Sequence, residues 1–188
     1  MRKLPYILPL LLLMVLAGCD KPESDLPINT RLGGAFTLTD HNGEPFTQQD
    51  LKGQVSILFF GYTHCPDICP AVLARVAQVY RSLEEAGQAE QVQLVFVTFD
   101  PERDTVEHLK QYLPWFKADI IGLTGTLPQI RQVAEQYGVV FIKGKEAENY
   151  LFTHSDYIYL LDEQARVRKL YPADFSIEEV ANDAKSLL

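Results

Sequence analysis

Two apolar runs of strand length limit what this chain can become more than any other feature. "QVSILFF", residues 54–60, and "VQLVFVTF", residues 92–99, are continuous rather than alternating, the pattern of strands covered on both faces. Between them Cys69, Val72, Leu73, Val76, Val79, Tyr80 and Leu83 recur at three- and four-residue steps. Gly87 closes that segment, so the link is an amphipathic helix. A buried strand, a helix and a second buried strand form a right-handed parallel unit.

The flanking segments add to this unit. "FTLTDHNGEPFT", 36–47, is two short alternating runs around Asn42–Gly43, a hairpin signal. "DPERDTVEHLKQYL" starts a helix, with Asp104 the expected N-cap and Glu107 three residues on. Residues 126–138 form another helix, ended by Gly138. Residues 155–171 read as a hairpin turning at Asp162–Gln164, and 176–188 as a final helix capped by Ser176. The expected order is hairpin, β, α, β, α, α, β-hairpin, α. That order is an α/β layer structure, a thioredoxin-like fold with an added N-terminal β-hairpin.

The first residues stand apart. Arg2 and Lys3 are followed by an almost wholly apolar stretch, Leu4 to Ala17. It is shorter than the roughly 20 residues that span a bilayer core, so 1–18 read as a secretory signal peptide. "LAGC" resembles the lipobox of bacterial lipoproteins. The resemblance implies cleavage before Cys19, lipidation of Cys19, and retention at the inner membrane because Asp20 follows. Residues 19–34, polar and carrying Pro22, Pro27 and Gly33–Gly34, are expected to be a tether, with the domain at 35–188. Removing Arg2 and Lys3 takes the net charge from −8 to −10. An acidic domain argues against nucleic acid. The one small basic cluster, Arg166, Arg168 and Lys169, is expected to be a solvated strand face.

With Cys19 assigned to lipid, two cysteines remain, both in "GYTHCPDICPAVL", 61–73. Four apart on a regular helix, their Cβ atoms lie about 5–6 Å apart, slightly wide for a disulfide at about 3.5–4.5 Å. The spacing suits two thiolates converging on one metal and leaves a disulfide open. Pro66 and Pro70 place both thiols near a helix amino end, where thiolate is favoured. Cys69 is in phase with the apolar face and should be the more buried. Of the histidines, His41 and His108 are expected on the surface, and His64 is expected to point away from its neighbour Cys65. His154, in a Thr-His-Ser loop before an apolar strand, is the best placed to reach the thiols.

"GYTHCPDICP", "VTFDPERDT" and "THSDYIYLLD", in this order, make residues 34–188 resemble the Sco/SenC family. The resemblance implies a membrane-tethered copper chaperone at the periplasmic face of the bacterial inner membrane. Cys65, Cys69 and His154 would hold one copper, Cu(I) or Cu(II), with Asp100 orienting His154 or the thiol loop. Its implied partner is the copper-bearing subunit of cytochrome c oxidase, or another periplasmic copper or thiol protein. The protein would deliver copper to the dinuclear site or maintain that site's thiols. The alternative is a thiol–disulfide oxidoreductase in which Cys65 attacks and Cys69 resolves. "LAGC" departs from family members that carry a transmembrane anchor.

Overall fold

The computed structural model describes residues 24–145 and 149–188, so the leader, Cys19 and the start of the tether lie outside the described residues. A seven-stranded sheet forms the centre of the domain. Its central strands are β3 (Val55–Gly61) and β4 (Val92–Thr98), parallel in register from Val55↔Val92 to Gly61↔Thr98. Every residue of both is buried, as their continuous apolar runs require. Helix α1 (Ile68–Glu85) links them and turns Cys69, Val72, Leu73, Val76 and Leu83 into the core. The chain leaves it through Gly87, whose positive φ of 72° is the left-handed conformation that glycine adopts freely.

The N-terminal hairpin, β1 (Thr37–Asp40) and β2 (Pro45–Thr47), extends the same sheet by antiparallel pairing of β1 with β5. On the other side, β8 (Ile158–Leu161) and β9 (Val167–Tyr171) form the second hairpin, antiparallel to β3. Among the described residues the remaining α-helices are α2 (Val106–Tyr112), α3 (Leu127–Gln136) and α4 (Ile177–Lys185). Ser176 caps α4 by accepting the N–H of Glu179, and Thr126 with Gln129 forms a capping box on α3.

Five features differ from the sequence reading. Strand β5 (Ile120–Thr124) separates α2 from α3 and pairs in parallel with β4. Its apolar run is broken by Gly122, where a Cβ would come within 2.4 Å of Leu113 Cδ1; the glycine is there for packing. A separate two-stranded sheet, β6 (Phe141–Lys143) with β7 (Phe152–His154), was also unforeseen. Helix α2 is capped by Thr105, which accepts the N–H of His108, and not by Asp104. Residues 24–34 are packed along the domain, with Asn29 N–H donating to Val167 O and Gly33 N–H to Gln136 O. Finally, Arg168 is buried: its guanidinium donates to the Asp162 carboxylate at 3.0 Å and to the carbonyls of Ser24 and Leu26. The expected solvated face exists in part only, because Lys169 pairs with Glu179 and Asp183.

Asp162 also accepts from Arg166 and from the N–H groups of Gln164 and Arg166. Burial pushes its carboxyl upward, but these donors prevail and hold it below the ordinary carboxylate range. Asp162→Ala strands the Arg168 guanidinium in the interior. It should cost about 3–5 kcal/mol in chemical denaturation at neutral pH. A depressed folded pKa means that Asp162's stabilisation is lost as pH falls through it. The gap between wild type and variant should therefore narrow in acid.

Candidate metal centre

Strand β3 ends at Gly61, and the turn to α1 carries both thiols. Cys69, in the first turn of α1, is fully buried, whereas Cys65 in the preceding loop is half-buried. Both are free thiols. A Cβ on Gly61 would lie 3.1 Å from Cys69 Sγ and 2.9 Å from the rings of Phe59 and Phe96, so only glycine leaves Cys69 its place. The N–H of Cys69 donates to Cys65 Sγ at 3.4 Å, one of the free amides of the helix amino end.

The imidazole arrives from the far side of the sequence. His154 is the last residue of β7 rather than a loop residue. Its hairpin is pinned over the thiol turn by aromatic packing. Phe99 stacks on Phe141 with centroids 5.1 Å apart and meets Phe152 at 5.0 Å, and Tyr62 meets Phe152 edge-on at 5.1 Å. The N–H of Phe152 donates to the Tyr62 hydroxyl, and the N–H of Phe99 to Gly61 O. His154 Nδ1 lies 2.7 Å from Ser155 O. A carbonyl only accepts, so Nδ1 carries the proton and the other ring nitrogen is left for the site. That nitrogen, Nε2, faces Cys69 Sγ at 3.7 Å. The two sulfurs and the His154 ring nitrogen all lie within 4.8 Å of one another.

The two thiols share one proton. The Cys69 S–H hydrogen-bonded to Cys65 Sγ pulls the Cys65 thiol far below its ordinary range, aided by His154 and by the backbone of Cys69 and Asp67. The same hydrogen bond, with burial, pushes Cys69 up. For His154, burial opposes charge, but the neighbouring Cys65 thiolate and the Ser155 carbonyl raise it overall. The half-exposed thiol is thus the one favoured as thiolate, and the buried one is favoured in its protonated form.

Asp100 is bonded away from the sulfurs and His154. It pairs with Arg103 Nε at 2.5 Å and accepts the Tyr150 hydroxyl at 2.7 Å. Arg103 in turn donates to Tyr150 O and lies 3.7 Å from the Tyr150 ring centroid. Asp100 therefore reaches His154 only through the segment that leads into β7. Asp104, expected as a cap, is fully buried and ties the thiol turn to β4: it accepts the N–H and hydroxyl of Thr63 and the hydroxyl of Thr98. Its charge also adds to the upward push on Cys69. Thr63 and Asp104 were missed as site residues. An acid at the carboxyl edge of β4, where such sheets place their sites, was the available signal. His41 is half-buried and accepts the N–H of Gly122, and His64 and His108 stack beside Asp104.

Residues 24–188 match the family model described as SCO1/SenC. Over 138 residues the chain is 44% identical to the protein SCO2, mitochondrial, of Saccharomyces cerevisiae, covering 72% of this chain and 46% of the yeast protein. The chain thus spans about half the length of that relative. The solved structure of Bradyrhizobium japonicum ScoI with copper bound superposes with a TM-score of 0.76 at 38% identity, covering 84% of this chain and 99% of that one. A SCO1/SenC family lipoprotein from Bacillus anthracis gives 0.72 at 27% identity, covering 90% and 98%.

The shared proton has a direct consequence in metal-free, reduced protein. A folded pKa held low keeps Cys65 as thiolate when the solution is acidified. Its alkylation rate by iodoacetamide should stay nearly flat from pH 8 to pH 5, where an ordinary cysteine slows about a thousandfold. Cys69→Ala removes the donor and should restore most of that slowing, as read by mass spectrometry of the labelled Cys65 peptide.

Proposed function

The chain belongs to the SCO1/SenC family, and from that membership we propose that it is a copper chaperone. It carries one copper ion as cargo on Cys65, Cys69 and His154. It delivers that copper to the dinuclear site of cytochrome c oxidase, or keeps the thiols of that site reduced. The observation that carries this reading is the convergence of two sulfurs and an imidazole nitrogen within 4.8 Å, from segments far apart in sequence. The donor set fits the ion. Soft thiolates favour Cu(I), and the added nitrogen allows the same site to hold Cu(II). The copper-bound ScoI structure of B. japonicum, alike over most of the chain, supports the assignment.

An acceptor needs a docking face beside the ligands. Val140, Ile142, Leu151 and Tyr157 are exposed apolar side chains that border the β6–β7 hairpin carrying His154. The acidic charge of the chain suits a partner with a basic surface. Residues 1–18 serve as a signal peptide and Cys19 as the lipid anchor, at the periplasmic face of the bacterial inner membrane. The likeness to the B. anthracis lipoprotein supports this. Among the described residues no helix is long and apolar enough to cross a membrane.

A second reading, thiol–disulfide exchange, rests on the divided proton. The Cys65 thiolate attacks an acceptor disulfide and forms a mixed disulfide, expelling one thiolate. Cys69 gives up its proton and attacks Cys65 Sγ, releasing the second acceptor thiol and leaving a Cys65–Cys69 disulfide. This activity would need no metal and would feel the loss of His154 only through the lesser part that His154 plays in lowering the Cys65 thiol.

Copper loading separates the two. Cu(II)-loaded protein should show sulfur-to-copper charge transfer in its absorption spectrum. His154→Ala should alter that band and weaken copper binding by about 10–100-fold, with the larger loss for either cysteine replaced by alanine. Equal binding by all three single alanine variants would contradict the proposal.

A further inference from the structure

Among the described residues a second set of ligand-type side chains converges, apart from the sulfur pair. His64, Asp104 and His108 place a ring nitrogen or carboxylate oxygen each within 4.8 Å of the others. They come from the turn after β3, the loop after β4 and the first turn of α2. From sequence alone His108 is expected on the surface and His64 is expected to point away from Cys65. In the structure His108 is half-buried, and its ring stacks on that of His64 with centroids 5.3 Å apart and 27° between planes.

The three groups meet at the Thr63 hydroxyl. That oxygen lies 2.5 Å from Asp104 Oδ1, 2.8 Å from His108 Nε2 and 3.0 Å from His64 Nδ1. A hydroxyl has one proton, and Asp104, an acceptor only, takes it. Both ring nitrogens then donate to the Thr63 oxygen, beside a carboxylate that is fully buried, and a cation would bind each ring in its other tautomer, with those nitrogens' lone pairs freed. Among the described residues, the basic side chain within ion-pair reach of that carboxylate is His64, at 3.6 Å, which is itself 42% exposed. A buried carboxylate is stabilised by a paired charge or a bound cation, and the exposed His64 is a weak partner for it. Two imidazole nitrogens, a carboxylate and a hydroxyl oxygen form an N2O2 set, suited to a divalent first-row ion rather than to Cu(I). Asp104 is anchored by Thr63 and Thr98, and His108 is held on α2. The exposed His64 is the ligand able to swing inward and close the set.

We propose that His64, Asp104 and His108 form a second cation site, for a divalent first-row transition ion such as Cu(II) or Zn(II). It is distinct from the thiol pair and lies one residue along the chain from it. It does not depend on the thiol centre holding copper. The ion would also neutralise the buried Asp104 charge.

The test is a Cu(II) titration of the full chain carrying Cys65→Ser and Cys69→Ser, followed by electron spin resonance. One Cu(II) should remain bound, with hyperfine structure from two nitrogens. Adding His108→Gln should weaken it by about tenfold or more, and His64→Gln, at the more exposed position, should do the same. In protein with both cysteines intact, His108→Gln should remove a second copper equivalent while the sulfur-to-copper band stays. Absence of stoichiometric Cu(II) in the serine background overturns the proposal. So does Cu(II) binding that neither glutamine variant changes. Failure of the sulfur-centred reading would show separately, as loss of the charge-transfer band with this equivalent retained.

Discussion

Parallel pairing of β3 with β4, from Val55↔Val92 to Gly61↔Thr98, leaves both faces of both strands covered. A slip of one residue would exchange the side chains facing each layer, so the register is strongly held. Its end point matters most. Gly61 and Thr98 finish side by side, and the chain must leave the sheet there in two adjacent loops. One carries the thiols and the other carries Phe99, Asp100 and Asp104. Two links tie the loops across that seam, Phe99 N–H to Gly61 O and Thr63 to Asp104, and Thr98 holds the same carboxylate from its own side.

The seam explains how a cysteine pair here comes within reach of an imidazole. A regular helix holds residues four apart slightly too far for a disulfide. In this chain Cys69 sits in the first helical turn and Cys65 before it, so the backbone N–H of Cys69 can reach Cys65 Sγ. Gly61 clears the space that Cys69 Sγ fills. The aromatic group of Tyr62, Phe99, Phe141 and Phe152 then presses the β6–β7 hairpin onto the turn, and His154 comes with it. The hydrogen bond from Nδ1 to Ser155 O settles which nitrogen faces the sulfurs. Asp100 contributes at a distance, by locking Arg103 against Tyr150 just before β7.

Much of this was legible because strong periodic signals survive without tertiary context. The two buried strands, α1, the two hairpins of the main sheet and the cap of α4 all follow from apolar spacing and turn chemistry. What escaped has physical reasons. The apolar run of β5 is interrupted by Gly122, which is required for contact with Leu113 and reads as a break. Strands β6 and β7 are three residues each, too short for a period-two pattern, and they hold together through Phe99. Asp104 has the local signature of a helix cap, but Thr105 can cap equally well and frees Asp104 for the interior. Residues 24–34 look like a linker by composition, yet they satisfy backbone groups of β9 and the buried Arg168. Such long-range pairings have no local trace.

In the proposed copper site one imidazole and two sulfurs share a single metal ion. X-ray absorption at the copper edge of stoichiometrically loaded protein reads that shell directly. Two sulfur scatterers and a nitrogen should appear, with an imidazole signature that vanishes when His154 is replaced. A shell of sulfur alone, or an imidazole signal that survives the loss of His154, would contradict it.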